Sequence, residues 1–379
     1  MISKRSLEIP SFLVMDILER AHELERKGSQ VIHLEVGEPD FETPECIKQA
    51  GIRALQGGKT RYTPSQGLIE LREALADHYR QHYGVRIDPQ RIIITMGSSP
   101  AMFLLFSALL ERGDAVVLTN PYYACYPNII RFLGGEATLV AVHEENDFQY
   151  EVSEIAGHLT PSTKAILINS PANPTGTVLS ASTMQALADF GRTIISDEIY
   201  HGLIYGAEDH SILEFTDNAF VLGGFSKRYA MTGWRLGYLI VPEEFIRATQ
   251  KIQQNFFISA GAFVQWAGVA ALKEAEPDVQ HMREVYCERR NYIVPRLREL
   301  GFGIAYEPQG AFYVLADARR FSRDSRAFAF DMLEKIHVAV TPGIDFGSNA
   351  EGYLRFSYAN SLDTIREGMS RLETYLRSR

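Results

Sequence analysis

The stretch GGFSKRYAMTGWRLGYLIVP, residues 223–242, decides how this chain is read. It opens on the end of one apolar run, FVLGG (220–224), and closes on a second, LGYLIV (236–241). Neither run alternates polar with apolar residues, so each suits a strand covered on both faces. Between them lies one lysine, Lys227. The chain carries 29 Arg against 9 Lys, and no other lysine falls between Lys164 and Lys251. Where a solvated cation suffices, this sequence usually has arginine. An amine set among glycines, aromatics and aliphatics therefore asks for chemistry that needs a nitrogen able to lose its proton.

Upstream the same kind of run recurs: RIIIT (91–95), AVVLT (115–119), TLVAV (138–142), AILIN (165–169) and TIIS (193–196). Such runs, separated by helical stretches, predict an α/β fold whose large domain is a mainly parallel seven-stranded sheet with helices on its faces. Near the N-terminus, PSFLVMDILERAHELERKG puts Leu13, Ile17, Ala21 and Leu24 on one helical face and stops at Gly28 as a C-cap. VIHLEVG follows and opens into the loop GEPDFETP. Beyond about residue 280 come a long charged helix, the strand-like GAFYVL and GYLRFSYA, and a last helix with Ile365, Met369, Leu372 and Leu376 on one face. These predict a second, smaller α+β domain. The expected division is 42–280 for the large domain, with 1–41 and 281–379 together forming the small one.

At 379 residues the chain is too long for one simple core, in keeping with that division. A formal net charge of -9 and a pI near 5.7 argue against a nucleic-acid or anionic-membrane surface, so any anion it binds is small and enclosed. Glu8 and Pro10 interrupt the N-terminus before a signal peptide forms, and the longest apolar run, AMFLLFSALL, is too short for a bilayer. Cys46, Cys125 and Cys287 are scattered and odd in number. That is neither a disulfide framework nor a zinc pattern, and it predicts a cytoplasmic protein. His78 and His82, four apart in LADHYRQHYG, lack an obvious third ligand and read as a surface helix, so no metal is expected.

In open α/β sheets, ligands sit beyond the carboxyl ends of the strands. After 91–95 comes MGSSPAM, in which Gly97 permits a tight turn, Pro100 suits a first helical position, and Ser98 and Ser99 offer hydroxyls and amides either to an anion or to ordinary helix capping. After 115–119, Tyr123 in NPYYACYP is either a platform for an aromatic ligand or a core aromatic. After 165–169, Asn173 in SPANPTG precedes proline and either directs its amide into a crevice or makes a turn. After 193–196, Asp197 ends a buried strand and needs a cation, from a salt bridge or from a protonated nitrogen. Lys227 follows 220–224, with Arg235 eight residues on. Taken singly, Lys227 reads as a salt-bridged surface lysine. In this company it reads as a Schiff-base lysine for a phosphorylated aromatic aldehyde, its pKa lowered by desolvation and by Arg235.

At these residues the sequence resembles the class I/II aminotransferases, the fold-type-I group of pyridoxal 5′-phosphate (PLP) enzymes, in their aspartate-aminotransferase-like branch. The motifs VGEPDFETP, YTPSQGLIELREAL, NPYYACYP, NSPANPTG, SDEIYHGLIY, SKRYAMTGWRLGY, QGAFYVL and YLRFSYA follow the family's order and spacing. The resemblance implies a PLP-dependent transaminase with a ping-pong cycle between an L-amino acid and a 2-oxo acid. Lys227 would form the Schiff base and shuttle the proton, and Asp197 would pair with the pyridine nitrogen. Asn173 and Tyr200 would bond the ring's phenolic oxygen, and Tyr123 would stack on the ring. Ser98, Ser99 and Arg235 would hold the phosphate, with Tyr62 reaching it from the other subunit of a homodimer. Arg355 would clamp the substrate carboxylate, aided by Asn173 and the backbone of Gly37. Residue by residue, without the family, Arg355 reads as a solvent-facing strand arginine.

Two departures bear on function. Many relatives have serine three residues before the lysine, where this chain has Gly224. The helix AMFLLFSALLE has no Arg or Lys before Arg112 to meet a distal carboxylate, which favours neutral or aromatic amino acids over aspartate, with 2-oxoglutarate as acceptor. The competing functions are a PLP-dependent carbon–sulfur lyase on the same fold and a PLP-binding sensor without turnover.

Overall fold

A computed structural model describes residues 2–378 of the chain. Its strands are β1 (Ile32–His33), β2 (Ile92–Thr95), β3 (Ala115–Asn120), β4 (Glu136–Ala141), β5 (Thr163–Asn169), β6 (Thr193–Asp197), β7 (Ala219–Gly224), β8 (Gly237–Ile240), β9 (Tyr313–Asp317), β10 (Val338–Ala339), β11 (Thr341–Pro342) and β12 (Tyr353–Ser357). The apolar runs expected to be strands are β2 to β8, and they form one seven-stranded sheet in the order β2-β8-β7-β6-β5-β3-β4. β8 is antiparallel to β2 and β7, and every other pairing is parallel.

These strands lack polar alternation because the sheet is covered on both sides. Ile93, Val116, Leu118, Leu167, Ile195 and Leu222 pack into one core with the helix Ser98–Leu109. Their neighbours Ile92, Ile94, Val117, Ile166, Ile194 and Val221 belong to the opposite core. The period of two survives in which core a residue joins, not in its polarity. β4 departs from the expectation of two buried faces: Glu136 and Ala141 are exposed and only Val140 is fully buried. It is one of the sheet's two end strands, paired only with β3; the other, β2, is buried along its whole length.

β9, β11 and β12 form an antiparallel sheet in the order β11-β12-β9, while β1 pairs in parallel with β10, setting Ile32 opposite Val338. The N-terminal segment is thus hydrogen-bonded to the C-terminal part of the chain. The helix Leu13–Arg26 buries Val14, Ile17, Ala21 and Leu24, and the helix Leu362–Arg377 buries Ile365, Met369, Leu372 and Tyr375. In each stripe one end residue differs from expectation, Val14 replacing Leu13 and Tyr375 replacing Leu376. Another expectation fails at His78. It lies on the helix Ile69–Tyr83 but is buried, with Nε2 3.4 Å from Arg228 Nη1 and the His82 ring 4.0 Å away. Among the described residues, no helix is long and apolar enough to cross a membrane.

Candidate active site

β7 ends at Gly224 and the chain turns to present Lys227, half-buried, with Nζ donating to the Gly37 carbonyl at 2.6 Å. Burial lowers the lysine pKa to about 8; Arg355 and Arg235 push the same way, and Glu38 opposes them. Gly37 must be glycine for room: a Cβ there would lie 1.7 Å from the Tyr313 hydroxyl. The loop after Gly37 is stitched to the lysine turn. Thr43 Oγ1 donates to the Ala230 carbonyl at 2.6 Å, Trp234 Nε1 donates to Thr43 Oγ1 at 3.1 Å, and the Thr232 hydroxyl donates to the Glu38 carboxylate.

Arg235, in the left-handed region at φ 53°, carries its guanidinium onto the turn between β2 and the helix Ser98–Leu109. Gly97, at φ 95°, makes this approach possible, since a Cβ on it would lie 2.6 Å from Arg235 Nη2. A Cβ on Gly237 would likewise meet the Gly97 carbonyl carbon at 2.7 Å. The helix starts two residues earlier than a serine cap with Pro100 in the first helical position requires. Gly97 is the N-cap, Ser98 and Ser99 are the first two helical residues, Pro100 is the third rather than the first, and no side chain caps the end. The helix-start amides, the hydroxyl-bearing residues Ser98 and Ser99 and the Arg235 guanidinium therefore lie together at one turn, a combination that suits an anion cradle. Gly224 adds nothing to it; a Cβ at that position would lie 2.7 Å from Ile199 Cδ1.

Asp197, at the end of β6, is buried with no cationic side chain paired to it among the described residues. Tyr126 donates to its Oδ2 at 2.6 Å and the Ile199 amide to Oδ1 at 3.2 Å. Burial nevertheless dominates and raises its pKa to about 6. Tyr126 lies within the NPYYACYP stretch, yet its role was not legible, because only the fold turns its hydroxyl toward β6. Tyr123 stands edge-on to Tyr126 at 5.3 Å and to Phe12 at 6.0 Å. Asn169 at the end of β5 links the layers, donating to the Asp197 carbonyl at 3.0 Å and accepting from the Asn173 amide at 2.8 Å.

Arg355 overturns the reading as a solvent-facing strand residue. It lies on β12 and is 3% exposed, with Cζ 4.3 Å from the Tyr313 ring centroid and 4.8 Å from that of Phe346. Nη1 donates to Asn173 Oδ1 at 2.8 Å, and Nη2 donates to Thr341 Oγ1 at 3.1 Å and to the Glu35 carbonyl. With its oxygen occupied, Asn173 keeps its NH₂ as a free donor. Arg355 Nε has no partner, and no described carboxylate pairs with the guanidinium. Tyr200 hydrogen-bonds the Tyr313 hydroxyl at 2.8 Å. Tyr62 is not brought into the site of its own chain; it is 83% exposed.

An amine of lowered pKa, an anion cradle, and a buried carboxylate lacking a cation fit a phosphorylated, protonated pyridine aldehyde. The orphaned Arg355 Nε adds an unmet cationic donor, which suits a carboxylate. A model of the aminotransferase class I and II family matches residues 29–372. A (5-formylfuran-3-yl)methyl phosphate transaminase of Methanocaldococcus jannaschii is 44% identical, with 99% of this chain and 100% of the relative covered. An aspartate aminotransferase of Pyrococcus horikoshii is 37% identical over 99% of this chain and 97% of its own. The solved structure of Thermus thermophilus aspartate aminotransferase with maleate superposes with a TM-score of 0.95 at 38% identity, 99% of each chain being covered. The chain belongs to the class I and II aminotransferases. It is a PLP-dependent enzyme of transamination, and these relatives carry no sign of the lyase alternative.

Proposed function

We propose that the enzyme transfers the amino group of a neutral or aromatic L-amino acid to a 2-oxo acid such as 2-oxoglutarate, by a ping-pong mechanism, with the residues above in the following roles. Bound PLP supplies an aldehyde that condenses with amines and a pyridinium ring that accepts electron density from the substrate Cα. Lys227 would hold the cofactor's aldehyde carbon, and its amine, with a pKa lowered to about 8, would be the group that moves a proton at the substrate Cα. Asp197 keeps the ring nitrogen protonated, with Tyr126 holding the carboxylate in place. Asn173 and Tyr200 donate to the ring's phenolic oxygen, and Tyr123 covers the ring. Ser98, Ser99, Arg235 and the helix amides take the phosphate. Arg355 binds the substrate carboxylate, with Asn173 and Gly37 beside it.

One observation carries this reading. Lys227, Asp197 and Arg355 come from three separate elements, and among the described residues none of the three is in a salt bridge; their polar partners include a carbonyl, a tyrosine hydroxyl and an amide oxygen, which leaves their charges open to ligands. The exposed ring of Tyr62 supports a homodimer in which Tyr62 of the partner subunit completes the phosphate site. We further propose that residues 1–41 and 281–379 act as a small domain against 42–280, and that the enzyme is cytoplasmic, with three free cysteines. The preference against acidic substrates rests on the helix Ser98–Leu109, which presents no cation, and on the aromatic edge of Phe12 beside Tyr123. The test is a panel of amino donors and oxo acids followed through the cofactor's absorbance. Neutral or aromatic donors are expected to discharge the bound cofactor fastest; a clear preference for aspartate would overturn the substrate assignment.

A further inference from the structure

Two carbonyls of one short segment hold both cations that face the substrate. The Glu35 carbonyl accepts from Arg355 Nη2 and, at 3.0 Å, from Thr341 Oγ1; the Gly37 carbonyl accepts from Lys227 at 2.6 Å. Carbonyls of an extended segment are only as well placed as the segment itself. Upstream it is tied by Leu34, whose amide donates to the Ala339 carbonyl at 3.0 Å and whose carbonyl accepts from the Ser357 amide at 2.7 Å. At Glu35 the tie is ionic. This carboxylate is 0% exposed; Oε1 lies 2.7 Å from His33 Nδ1, and Oε2 has no partner. His33 Nε2 in turn lies 3.2 Å from Glu25 Oε1 on the helix Leu13–Arg26. A fully buried carboxylate with a single ionic partner is costly to the fold, and no step of the proposed reaction uses it.

We propose that Glu35 and His33 are positioning residues for the substrate-carboxylate site: their ion pair sets the segment so that the Glu35 carbonyl holds the Arg355 guanidinium in place for substrate. The inference rests on Arg355 being the carboxylate clamp. Glu35→Gln preserves shape and removes the charge that orders His33. In the holoenzyme, using the best amino donor of the panel, KM is expected to rise about fivefold with kcat within about twofold of wild type. The dissociation constant of that donor's α-methyl analogue, read from the cofactor's absorbance, is expected to rise in parallel. The affinity of apoprotein for PLP is expected to change by less than about twofold, because Asp197, Arg235 and Ser98 lie on other elements and the one cofactor residue tied to this segment, Lys227, is held at Gly37, two residues beyond Glu35. Glu25→Gln, at the exposed end of the chain of contacts, serves as the neutral control. If Glu35→Gln does not fold, His33→Gln at the partly exposed position is read in the same way. An unchanged KM, or a joint fall in kcat, analogue binding and PLP affinity, would overturn the positioning role. Arg355→Gln separates the two ideas: if it too leaves KM unchanged, the clamp itself is misassigned, whereas a large effect there with none at Glu35 removes only this inference.

Discussion

Replacing Asp197 with asparagine is expected to stabilise the empty protein while weakening the loaded one. The Asp197 pKa rises from 3.8 to about 6 in the fold, chiefly through burial. The folded state therefore prefers the protonated carboxyl. The penalty is absent below pH 3.8, where both states carry the proton, grows between 3.8 and about 6, and is constant above that. A shift of this size corresponds to on the order of 3 kcal/mol at neutral pH. Asparagine removes the charge and can still accept from the Ile199 amide while donating to the Tyr126 oxygen. Urea unfolding of Asp197→Asn apoprotein at pH 7.5 is expected to give about 1–3 kcal/mol more stability than wild type, a gain that vanishes near pH 4. Saturation with PLP reverses the order, since only the carboxylate gains a cationic partner from the ring. A less stable apo variant at pH 7.5, or an equal gain at both pH values, would falsify the argument that burial without a counter-ion governs this carboxylate.

Three further outcomes follow from the same geometry. Capture of PLP by apoprotein, timed by absorbance, should accelerate with pH through a midpoint near 8, as the Lys227 amine loses its proton; a midpoint at the ordinary lysine value of 10.5 would contradict the desolvated environment. Gly97→Ala sets a Cβ 2.6 Å from Arg235 Nη2 at a backbone φ of 95°, and should weaken PLP binding at least about tenfold with the fold retained, as measured by equilibrium titration. Arg355→Gln should raise KM for amino and oxo acids by about tenfold to a hundredfold, with PLP affinity kept, in steady-state kinetics; equal losses of both would remove its assigned role.

Much of the site could be read along the chain because a doubly covered parallel sheet leaves a plain local trace. Continuous apolar runs mark its strands, and the residues just after them mark its ligand edge. Lys227, Asp197, Asn173 and Ser98 all follow such runs, and the lysine stood out further through its rarity. Arg355 was legible as functional only through resemblance, since an arginine within YLRFSYA has no local mark of burial. Its aromatic and polar surroundings, Tyr313, Phe346, Thr341 and Asn173, come from separate parts of the chain. Misplacing the helix start at Pro100 had a similar origin, because Gly97 takes its conformation from packing against Arg235 and Gly237.

By itself, the sequence determined the seven strands, their two-faced burial away from the β4 margin, the amine at 227, and the glycine turn at 97. Each is a matter of residue type and short-range spacing, which local backbone physics and hydrophobic patterning translate directly. Only the tertiary structure decided which charges would be left without partners, and that Tyr126 would hold Asp197. It also decided that the Glu35 and Gly37 carbonyls would grip Arg355 and Lys227. Those facts depend on segments distant in sequence meeting in a buried space, where desolvation turns an ordinary lysine, aspartate and arginine into groups waiting for a ligand.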